Sequence, residues 1–422
     1  MRVAHLLRKY DPSEWGGTES VMLQLTTELA GRGVESVVYA PRIPPGAAAP
    51  GPLEAAGCTV RRFRACVPIW GISSERKRQM VAVGGNMVSF GLAGSLWAEK
   101  GIDVIHSHAL GRLGAIGRLV ARARRIPFVI SIHGGAYDIP AELRQELRRP
   151  ATGGWDWGRS LGLMLRARHL MDQADAIITL NAREASLVRE RHPGRRVLVA
   201  PHGIRTALFA KECRPAALAA FPELEGRPMF LVLGRIDPTK NQGWLIAEAG
   251  ELARRHPEAI MVLAGPFTDR EYARALQERI AGAGLQGSIM IVGSLPSGDP
   301  RLIGLLQEAR AVILPSVSET FGIVILEAWS AGTPVISSRT SGATALVDDG
   351  VNGLLFDLAR PATFHAAVDR VLAQPELAAQ WGEAGRAKAA AEYDSSVSAD
   401  RMRGLYAELM EGKDALRHSK GR

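Results

Sequence analysis

Two glutamates separated by seven residues mark the stretch of the chain with the clearest chemistry. Residues 316–334 have the sequence SVSETFGIVILEAWSAGTP, in which Glu319 precedes an apolar run and Glu327 lies within it. Because the neighbours of Glu327 are almost all apolar, the helix predicted here is expected to be buried. A carboxylate in such a place is costly unless it is bonded to a polar group. We therefore expect Glu327 to bind ligand hydroxyls, such as those of a ribose or a hexose.

The segment between the two glutamates has the form of a helix N-terminus that can bind an anion. Thr320 is the predicted N-cap, and Gly332 predicts the end of the helix. The backbone N–H groups of Phe321, Gly322 and Ile323 would then lie at the helix N-terminus, which is an anion site suited to phosphate. The missing side chain of Gly322 would let a ligand approach the backbone closely.

A second set of polar residues follows the apolar run at 229–233. Gly234 and Arg235 come directly after this run, and a turn then leads to Lys240. Two cations at one strand-to-helix turn can neutralise a diphosphate. The alternative is that both are ordinary solvated surface side chains.

Apolar runs alternate with helical patterns along the whole chain. The runs predict buried strands near residues 3–7, 34–40, 103–106, 127–132, 174–180, 196–200, 229–233, 259–264, 289–292, 311–314 and 335–336. Residues 75–100 are predicted to form one helix. This alternation predicts an α/β fold of two doubly wound, Rossmann-like domains that face a central cleft. The first is predicted to span residues 1–205 and the second residues 206–392.

Histidines follow two predicted strands of the first half. His106 and His108 end one of them, and His133 ends the next, just before two glycines. Ligands of open α/β sheets bind beyond the carboxyl ends of the strands. We expect one of His106 and His108 to face the ligand and the other to be structural. His133 is either a ligand contact or a hydrogen-bonded polar group without a catalytic role.

Composition excludes several classes of protein. The 422 residues are 46% hydrophobic and 23% charged, as in ordinary globular proteins. No apolar run approaches the roughly 18 residues of a membrane span, and the start of the chain is too polar for a signal peptide. Cys58, Cys66 and Cys213 are odd in number and lack metal-type spacing, which favours a reducing compartment. We therefore expect a cytoplasmic protein.

The positive charge of the chain is concentrated in its first half. Residues 1–205 contain 29 of the 52 Lys and Arg and 17 of the 43 Asp and Glu, a net charge of +12, whereas the remainder carries −3. Solvated helix faces are one explanation. Attraction to an anionic membrane surface or a polyanionic acceptor is the other. A nucleic acid is not expected as a partner, because no recognition motif accompanies the charge.

The stretch SETFGIVILEAWSAGTPVI resembles the E-x7-E signature of glycosyltransferase family 4, the large retaining family with the GT-B fold that includes glycogen synthase-like and mannosyltransferase-like enzymes. Both carboxylates, the Phe-Gly pair and the Gly-Thr-Pro sequence fall in register with it. The resemblance implies that Glu319 contacts the donor hexose and that Glu327 holds the nucleotide ribose. It also implies that the backbone at Phe321 and Gly322 binds the diphosphate.

The same resemblance implies further site residues. Gly17, in a Gly-Gly-x-Glu sequence, would lie near the donor phosphate, and His133 near the transferred sugar. Arg235 and Lys240 match the family's Gly-Arg and Lys element, which neutralises the diphosphate. Leu295 lies where the backbone of family members meets the nucleotide base.

Two positions depart from the family pattern. His202 occupies the position of a more common Asn in a Pro-Asn-Gly crossing between domains, so its role stays open. Ala345 replaces a common Glu, which puts any contact of that Glu in doubt. A last helix, predicted at 393–412, would pack back on the first domain as it does in the GT-B fold.

The implied activity is a retaining hexosyltransferase. It would move a hexose from a nucleotide-diphosphate sugar, most often a UDP- or GDP-sugar, to a hydroxyl of a glycan or lipid-linked acceptor in exopolysaccharide or lipopolysaccharide synthesis. No cofactor is expected, and no metal, because the chain has no Asp-x-Asp sequence. The alternatives are a sugar-nucleotide epimerase or hydrolase, and a non-catalytic nucleotide-sugar-binding protein, on the same fold.

Overall fold

The chain folds into two compact units. The structure is a computed structural model that describes residues 1–12, 17–42, 51–83, 87–138 and 153–419. Unit 1 comprises Met1–Gly203 together with Ser395–Arg422, and unit 2 comprises Ile204–Asp394. We predicted boundaries after residues 205 and 392, and the chain passes between the units after Gly203 and after Asp394.

Unit 1 is built on a seven-stranded parallel sheet. Its strands in chain order, including two short ones outside this sheet, are β1 (Arg2–Leu6), β2 (Glu35–Pro41), β3 (Thr59–Phe63), β4 (Ile69–Trp70), β5 (Val104–Ser107), β6 (Phe128–Ser131), β7 (Trp155–Asp156), β8 (Ala176–Thr179) and β9 (Val197–Val199). The order in the sheet is β3-β2-β1-β5-β6-β8-β9. The strands β4 and β7 pair with each other in an antiparallel ribbon.

The helices of unit 1 before the boundary lie between these strands. They are α1 (Gly17–Ala30), α2 (Pro52–Ala55), α3 (Ser74–Val83), α4 (Leu92–Ala98), α5 (Gly111–Arg124), α6 (Arg159–Met164) and α7 (Ala182–Arg191), with short 3₁₀ turns at Ala167–His169 and Met171–Gln173. The prediction of one helix over residues 75–100 is wrong, because α3 and α4 are separate. Between the two helices, Val88 pairs with Cys66 in an isolated antiparallel bridge, which is incompatible with a continuous helix.

Unit 2 is built on a six-stranded parallel sheet. Its strands are β10 (Met229–Leu233), β11 (Ile260–Ala264), β12 (Ile289–Gly293), β13 (Ala311–Leu314), β14 (Val335–Ser338) and β15 (Gly353–Phe356). Their order is β12-β11-β10-β13-β14-β15. All residues of β10, β11, β13 and β14 are buried, as expected for parallel strands covered on both faces.

The helices of unit 2 also follow its strands. They are α8 (Thr206–Phe209), α9 (Arg214–Ala220), α10 (Gln242–Arg255), α11 (Arg270–Gly282), α12 (Pro300–Glu308), α13 (Ile323–Ser330), α14 (Ser341–Leu346), α15 (Pro361–Ala373) and α16 (Pro375–Glu392), with a 3₁₀ turn at Pro222–Leu224.

The last helix, α17 (Ser395–Ser419), belongs to unit 1. Its Met402 and Tyr406 are buried in a cluster with Val3 of β1 and Leu29 of α1. We predicted this helix over residues 393–412. None of the described helices combines the length and the apolar composition needed to cross a lipid bilayer.

Both sheets reverse their strand order beside their first strand. The reversal lies between β1 and β5 in unit 1 and between β10 and β13 in unit 2. In doubly wound sheets, ligands bind beyond the carboxyl ends of the strands at this switch point. The loops after these four strands are therefore the places to look for function.

Candidate functional site

The switch point of unit 2 brings together the polar residues predicted for donor binding. Arg235 and Lys240 follow β10, and Glu319 follows β13, the neighbouring strand. Leu295 follows β12 and is half-buried. Because all six strands are parallel, these residues share one edge of the sheet.

An ion pair joins the two central loops of this edge. The ammonium of Lys240 donates to Oε2 of Glu319, and the two side chains keep only 19% and 22% of their surface exposed. Two hydrogen bonds fix the loops beside it: Val317 N–H donates to Thr239 O at 3.0 Å, and Asn241 Nδ2 donates to Pro315 O at 3.1 Å. Lys240 is thus held next to Glu319 before any ligand arrives.

Arg235 is the more accessible of the two cations. Its side chain is 56% exposed, and its Nη2 lies 3.0 Å from Oδ2 of Asp237. The buried Asp237 also accepts a hydrogen bond from Lys240 N–H at 3.0 Å. Asp237 therefore orders the turn that carries both cations, while the guanidinium of Arg235 stays within reach of an anion.

The helix that carries Glu327 begins later than predicted. Thr320 is not its N-cap; α13 begins at Ile323, and Gly322 is the N-cap with φ 94°. A glycine adopts this left-handed conformation without the penalty that a side chain brings, so the glycine, rather than a capping hydroxyl, sets the helix start. The predicted end is confirmed, because Gly332 follows the C-cap Ala331 with φ 82°.

The loop before α13 is clamped by the start of α14. Gly342 N–H donates to Glu319 O at 2.7 Å, and Ser341 Oγ donates to the same oxygen at 3.2 Å. A Cβ atom at Gly342 would lie 2.5 Å from the backbone nitrogen of Phe321. Only a glycine allows this approach. Ala345, on the same short helix, is exposed.

Glu327 lies on the helix as predicted, among buried neighbours. Ile325, Leu326, Ala328 and Trp329 are fully buried, while Glu327 itself is half-buried. Its Oε1 accepts a weak hydrogen bond from Ser297 Oγ at 3.5 Å. Burial raises the pKa of the Glu327 carboxyl to about 7, and this hydrogen bond opposes the rise. A carboxyl of this kind can accept hydrogen bonds from ligand hydroxyls or, when protonated, donate one.

In unit 1, His133 lies within a group of histidines. Its Nε2 lies 2.7 Å from Nδ1 of His108, and its Nδ1 lies 3.1 Å from Nε2 of His202. His133 is half-buried, whereas His106, His108 and His202 are buried. His106 bonds instead to Tyr406 Oη at 2.6 Å and to Ser131 Oγ at 2.8 Å.

The other predicted contact of unit 1 is Gly17. It is the first residue of α1 and is exposed, and Glu19 two residues later is buried. The preceding Trp15 and Gly16 of the Gly-Gly-x-Glu sequence lie outside the described residues.

Comparisons with known proteins agree with this architecture. A family profile described as "Glycosyl transferase 4-like domain" matches residues 16–203, and one described as "Glycosyl transferases group 1" matches residues 214–388. A D-inositol 3-phosphate glycosyltransferase of Frankia alni is 30% identical over 391 residues, covering 88% of this chain and 90% of that protein. The chain belongs to glycosyltransferase family 4.

Other proteins similar to this glycosyltransferase have names or bound ligands that indicate other sugars. The alpha-D-kanosaminyltransferase of Streptomyces kanamyceticus is 29% identical over 318 residues, covering 72% of this chain and 77% of that protein. Anabaena Alr3699/HepE, solved in complex with UDP and glucose, superimposes with a TM-score of 0.72 at 19% identity, covering 97% of this chain and all of that one. The predicted GT-B fold is thereby confirmed.

Burial favours the neutral form of the histidines grouped around His133 in this glycosyltransferase. It lowers the pKa of His133 to about 4, with a smaller contribution from the positive charge of Arg8. It lowers the pKa of His5 to about 3 and those of His106, His108 and His202 well below the ordinary value. Both His106 and His108 are buried, and the expectation that one of them faces the ligand stays a prediction.

Sequence reasoning missed two residues of unit 1. His5 lies in β1, and its Nδ1 is 3.1 Å from Nε2 of His108. Glu184 is buried on α7 and accepts backbone N–H bonds from Ala136 at 2.8 Å and Tyr137 at 3.1 Å, which anchors the segment after His133. The sequence Asn181-x-x-Glu184 resembles a capping box, but it gives no sign that the carboxylate binds another loop.

The fold also assembles histidines that have no metal-type spacing in the sequence. His5, His106 and His108 each offer a ring nitrogen, and these atoms lie within 4.8 Å of one another. Three neutral imidazoles are a donor set that zinc accepts. Metal independence therefore stays a prediction for this glycosyltransferase.

Proposed function

We propose that the protein is a retaining hexosyltransferase that uses a nucleotide-diphosphate sugar, a UDP- or GDP-sugar, and transfers the hexose to a hydroxyl of a glycan or lipid-linked acceptor in cell-surface glycan synthesis. The observation that carries this proposal is the Lys240–Glu319 pair at the switch point of unit 2, directly before the N-terminus of α13. This arrangement places a cation, a carboxylate and the N-terminus of a helix together, as a sugar diphosphate requires.

The diphosphate gains charge as the bond to the sugar breaks. Lys240, Arg235 and the N-terminus of α13 can stabilise that charge, and the hydrogen bonds around Asp237 already order the turn that carries the two cations. Lys240 exchanges its ion pair with Glu319 for one with the diphosphate. These fixed positive groups do the work that a metal ion performs elsewhere, so we expect turnover without a divalent cation.

The carboxylates have separate roles in the proposal. Glu319, released from Lys240, binds hexose hydroxyls beside the leaving group. Glu327 lies about one turn into α13, close to Ser297 in the loop that contains Leu295, and this placement suits the ribose with the base beside Leu295. His133 orients the transferred sugar, the role that the family resemblance implies.

Retention is proposed to follow from front-face attack. In this mechanism a donor phosphate oxygen accepts the proton of the acceptor hydroxyl, which then attacks from the side that the diphosphate leaves. The relatives support hexose transfer in general, because HepE was solved with UDP and glucose and the curated relatives are named for glycosyl transfer. The proposed acceptor is a glycan or a lipid-linked precursor, and the proposed location is the cytoplasmic face of the membrane. The basic first half of the chain supports both proposals, because it would attract an anionic membrane surface or a polyanionic acceptor.

Product analysis tests the proposal and separates it from its alternatives. Thermal-shift screening with UDP-, GDP- and ADP-sugars first finds the donor, because a ligand raises the apparent stability of the native state. The donor is then incubated in EDTA with and without glycan or lipid-linked acceptors, and the anomeric configuration of the product is read by NMR. Sugar release or epimerisation without acceptor would instead identify a hydrolase or epimerase, and binding without any product would identify a binding protein.

Lys240→Ala tests whether the Lys240–Glu319 pair has the proposed role in turnover. We expect turnover to fall about 10²–10³-fold, the loss seen when one preorganised donor is removed from a transition state. Arg274→Ala is the matched control, because Arg274 forms an exposed ion pair with Glu278 on α11. Near-wild-type turnover of Lys240→Ala would show that Lys240 does not stabilise the diphosphate.

A further inference from the structure

Four histidines of unit 1 form a continuous hydrogen-bonded chain. His5 Nδ1 lies 3.1 Å from His108 Nε2, His108 Nδ1 lies 2.7 Å from His133 Nε2, and His133 Nδ1 lies 3.1 Å from His202 Nε2. At the inner end, Ser36 Oγ lies 3.4 Å from His5 Nε2. The chain thus runs from the fully buried His5 through His108 and the half-buried His133 to the buried His202.

The strand order explains why residues so distant in sequence meet. Side chains alternate between the faces of a sheet, and β1, β5 and β6 are adjacent, parallel strands. On one face, the valines of these strands pack against α1 and α17. Toward the carboxyl ends the same face carries histidines at alternate positions: His5, His106, His108 and His133.

The links restrict where the protons lie. A neutral imidazole donates from one nitrogen and accepts at the other. Each link joins a δ nitrogen to an ε nitrogen, so a proton on Nδ1 of His5 requires the Nδ1–H tautomer at His108, His133 and His202 in turn. The opposite direction requires Nε2–H at all four. The tautomer of His133 cannot change alone without breaking a link.

We propose that His5 and His108 are positioning residues that set the tautomer of His133, so that the four histidines switch between the two arrangements only as one unit. Their neutrality supports this, since burial lowers the pKa of every member. Which nitrogen of a functional histidine carries the proton is set by the hydrogen bond at the other nitrogen. The effect on turnover rests on the proposed function of His133, whereas the tautomer pattern does not.

A bound metal is the competing explanation for the cluster. His5, His106 and His108 could supply three ligands. However, both nitrogens of His106 are already bonded to hydroxyls, those of Tyr406 and Ser131. The pairwise links among the other histidines account for both nitrogens of His108 and of His133. The proton chain therefore explains more of the contacts than a metal does.

The test uses the full chain labelled with ¹⁵N-histidine and free of nucleotide. Long-range ¹H–¹⁵N NMR spectra report the tautomer of each ring, with assignment by single variants. In the wild type we expect His5, His108, His133 and His202 all to carry the proton on the same nitrogen. A mixture of fixed tautomers among these four, or a stoichiometric transition metal in the purified protein, would overturn the proposal.

A matched pair of variants tests the coupling. His5→Leu and His106→Leu remove equally buried imidazoles from paired positions of adjacent strands, but only the first belongs to the chain. We expect His133 to become a mixture of tautomers in His5→Leu and to keep the wild-type tautomer in His106→Leu. The same response in both variants, or none in His5→Leu, would contradict the proposal. His5→Asn, which keeps a polar group near the position of Nδ1, serves if His5→Leu does not fold.

Activity adds a second readout. We expect His5→Leu to lower kcat about 10- to 100-fold, the scale measured when the group orienting a functional histidine is removed, with the donor KM unchanged. His106→Leu should retain turnover. If the tautomer of His133 changes in His5→Leu while turnover stays at the wild-type level, the proposed coupling of the four histidines stands. The proposed role of His133 in turnover is then refuted. An inactive wild type would refute the proposed function but not the tautomer pattern.

Discussion

In the ligand-free site, the carboxylate of Glu319 occupies the position beside Lys240 that the negatively charged diphosphate is proposed to take. Both side chains are mostly buried, so each compensates the other. A diphosphate that binds Lys240 must compete with the Glu319 carboxylate. Within the part of the chain that the structure describes, Glu327 forms no ion pair, and its burial favours the neutral carboxyl. The two glutamates should therefore respond differently to the same substitution.

Glu319→Gln and Glu327→Gln should separate turnover from nucleotide affinity. Glu319→Gln frees Lys240 from its competing carboxylate, so UDP or GDP affinity should rise a few-fold, because a partly exposed ion pair is worth up to about 1 kcal/mol. Its kcat should fall, because the sugar gains positive charge in the transition state. Glu327→Gln should mainly weaken nucleotide and donor binding, since ribose is present in both.

Calorimetry with free nucleotide and steady-state kinetics with donor measure these quantities. Arg274→Ala again serves as the control for a lost surface charge. Weaker nucleotide binding in Glu319→Gln together with unchanged binding in Glu327→Gln would show that the two roles are exchanged.

The raised pKa of Glu327 predicts a pH dependence of stability. Its pKa rises from an ordinary 4.5 to about 7 in the native state. Between these values the native state holds a proton that the unfolded state has lost, so the free energy of unfolding falls as pH rises through this window. The side chain of Glu327→Gln does not titrate, so its free energy of unfolding does not fall in this window. The variant should therefore gain stability relative to the wild type as pH rises from about 4.5 to about 8. Melting temperatures of both proteins across this range give the answer, and a constant difference would show that the carboxyl titrates normally.

At the scale of elements, the sequence predicts the strands of both sheets except the edge strands β3 and β15, but it does not predict the contacts between distant strands. Continuous apolar runs predicted parallel strands, and the polar residues after them predicted the edge that carries Arg235, Lys240 and Glu319. The histidine chain was missed because it depends on which strands are neighbours. His5 and His106 are paired across β1 and β5, and no local pattern specifies that pairing.

Local rules also failed where backbone geometry overrides a side-chain preference. Thr320 has the side chain of an N-cap, but Gly322 can adopt the left-handed conformation that starts α13 two residues later. Glu184 shows a related limit, since the Asn181-x-x-Glu184 pattern gives no sign that the carboxylate binds the loop after His133.

Gly322→Ala tests whether the start of α13 binds phosphate. A side chain in the left-handed conformation costs about 1–2 kcal/mol, so stability should fall. Gly284→Ala is the matched control, because Gly284 has φ 67° and open space around its Cβ position. Gly322→Ala should lose more stability than the control, because its Cβ atom would also lie 2.9 Å from Ile325 Cδ1. Only Gly322→Ala should lose nucleotide affinity, by about tenfold for one charge-assisted hydrogen bond. Equal nucleotide affinity in the two variants would place the diphosphate elsewhere.

At the scale of the whole molecule, charge and exposed aromatic surface coincide in unit 1. Residues 1–205 carry a net charge of +12 and the remainder −3. Among the described residues, the exposed aromatics of unit 1 include Trp70, Phe90, Trp97 and Trp155. Trp70 and Trp155 lie on the β4–β7 ribbon with their ring centroids 5.1 Å apart and their planes tilted by 34°. Tryptophan favours the membrane interface, and basic residues favour anionic lipid.

Unit 1 should therefore bind anionic vesicles in a salt-sensitive way. Screening shortens the range of surface charge from about 10 Å at 0.1 M salt to about 3 Å at 1 M, so flotation with anionic liposomes should be lost at high salt and should be weak with neutral ones. Trp155→Ser should weaken binding at low salt, because it removes an exposed ring that can insert at the interface. Phe267→Ser is the matched control, since Phe267 is an exposed aromatic of unit 2. Equal, negligible flotation of all three proteins on both lipids would show that the basic residues only solvate helix faces.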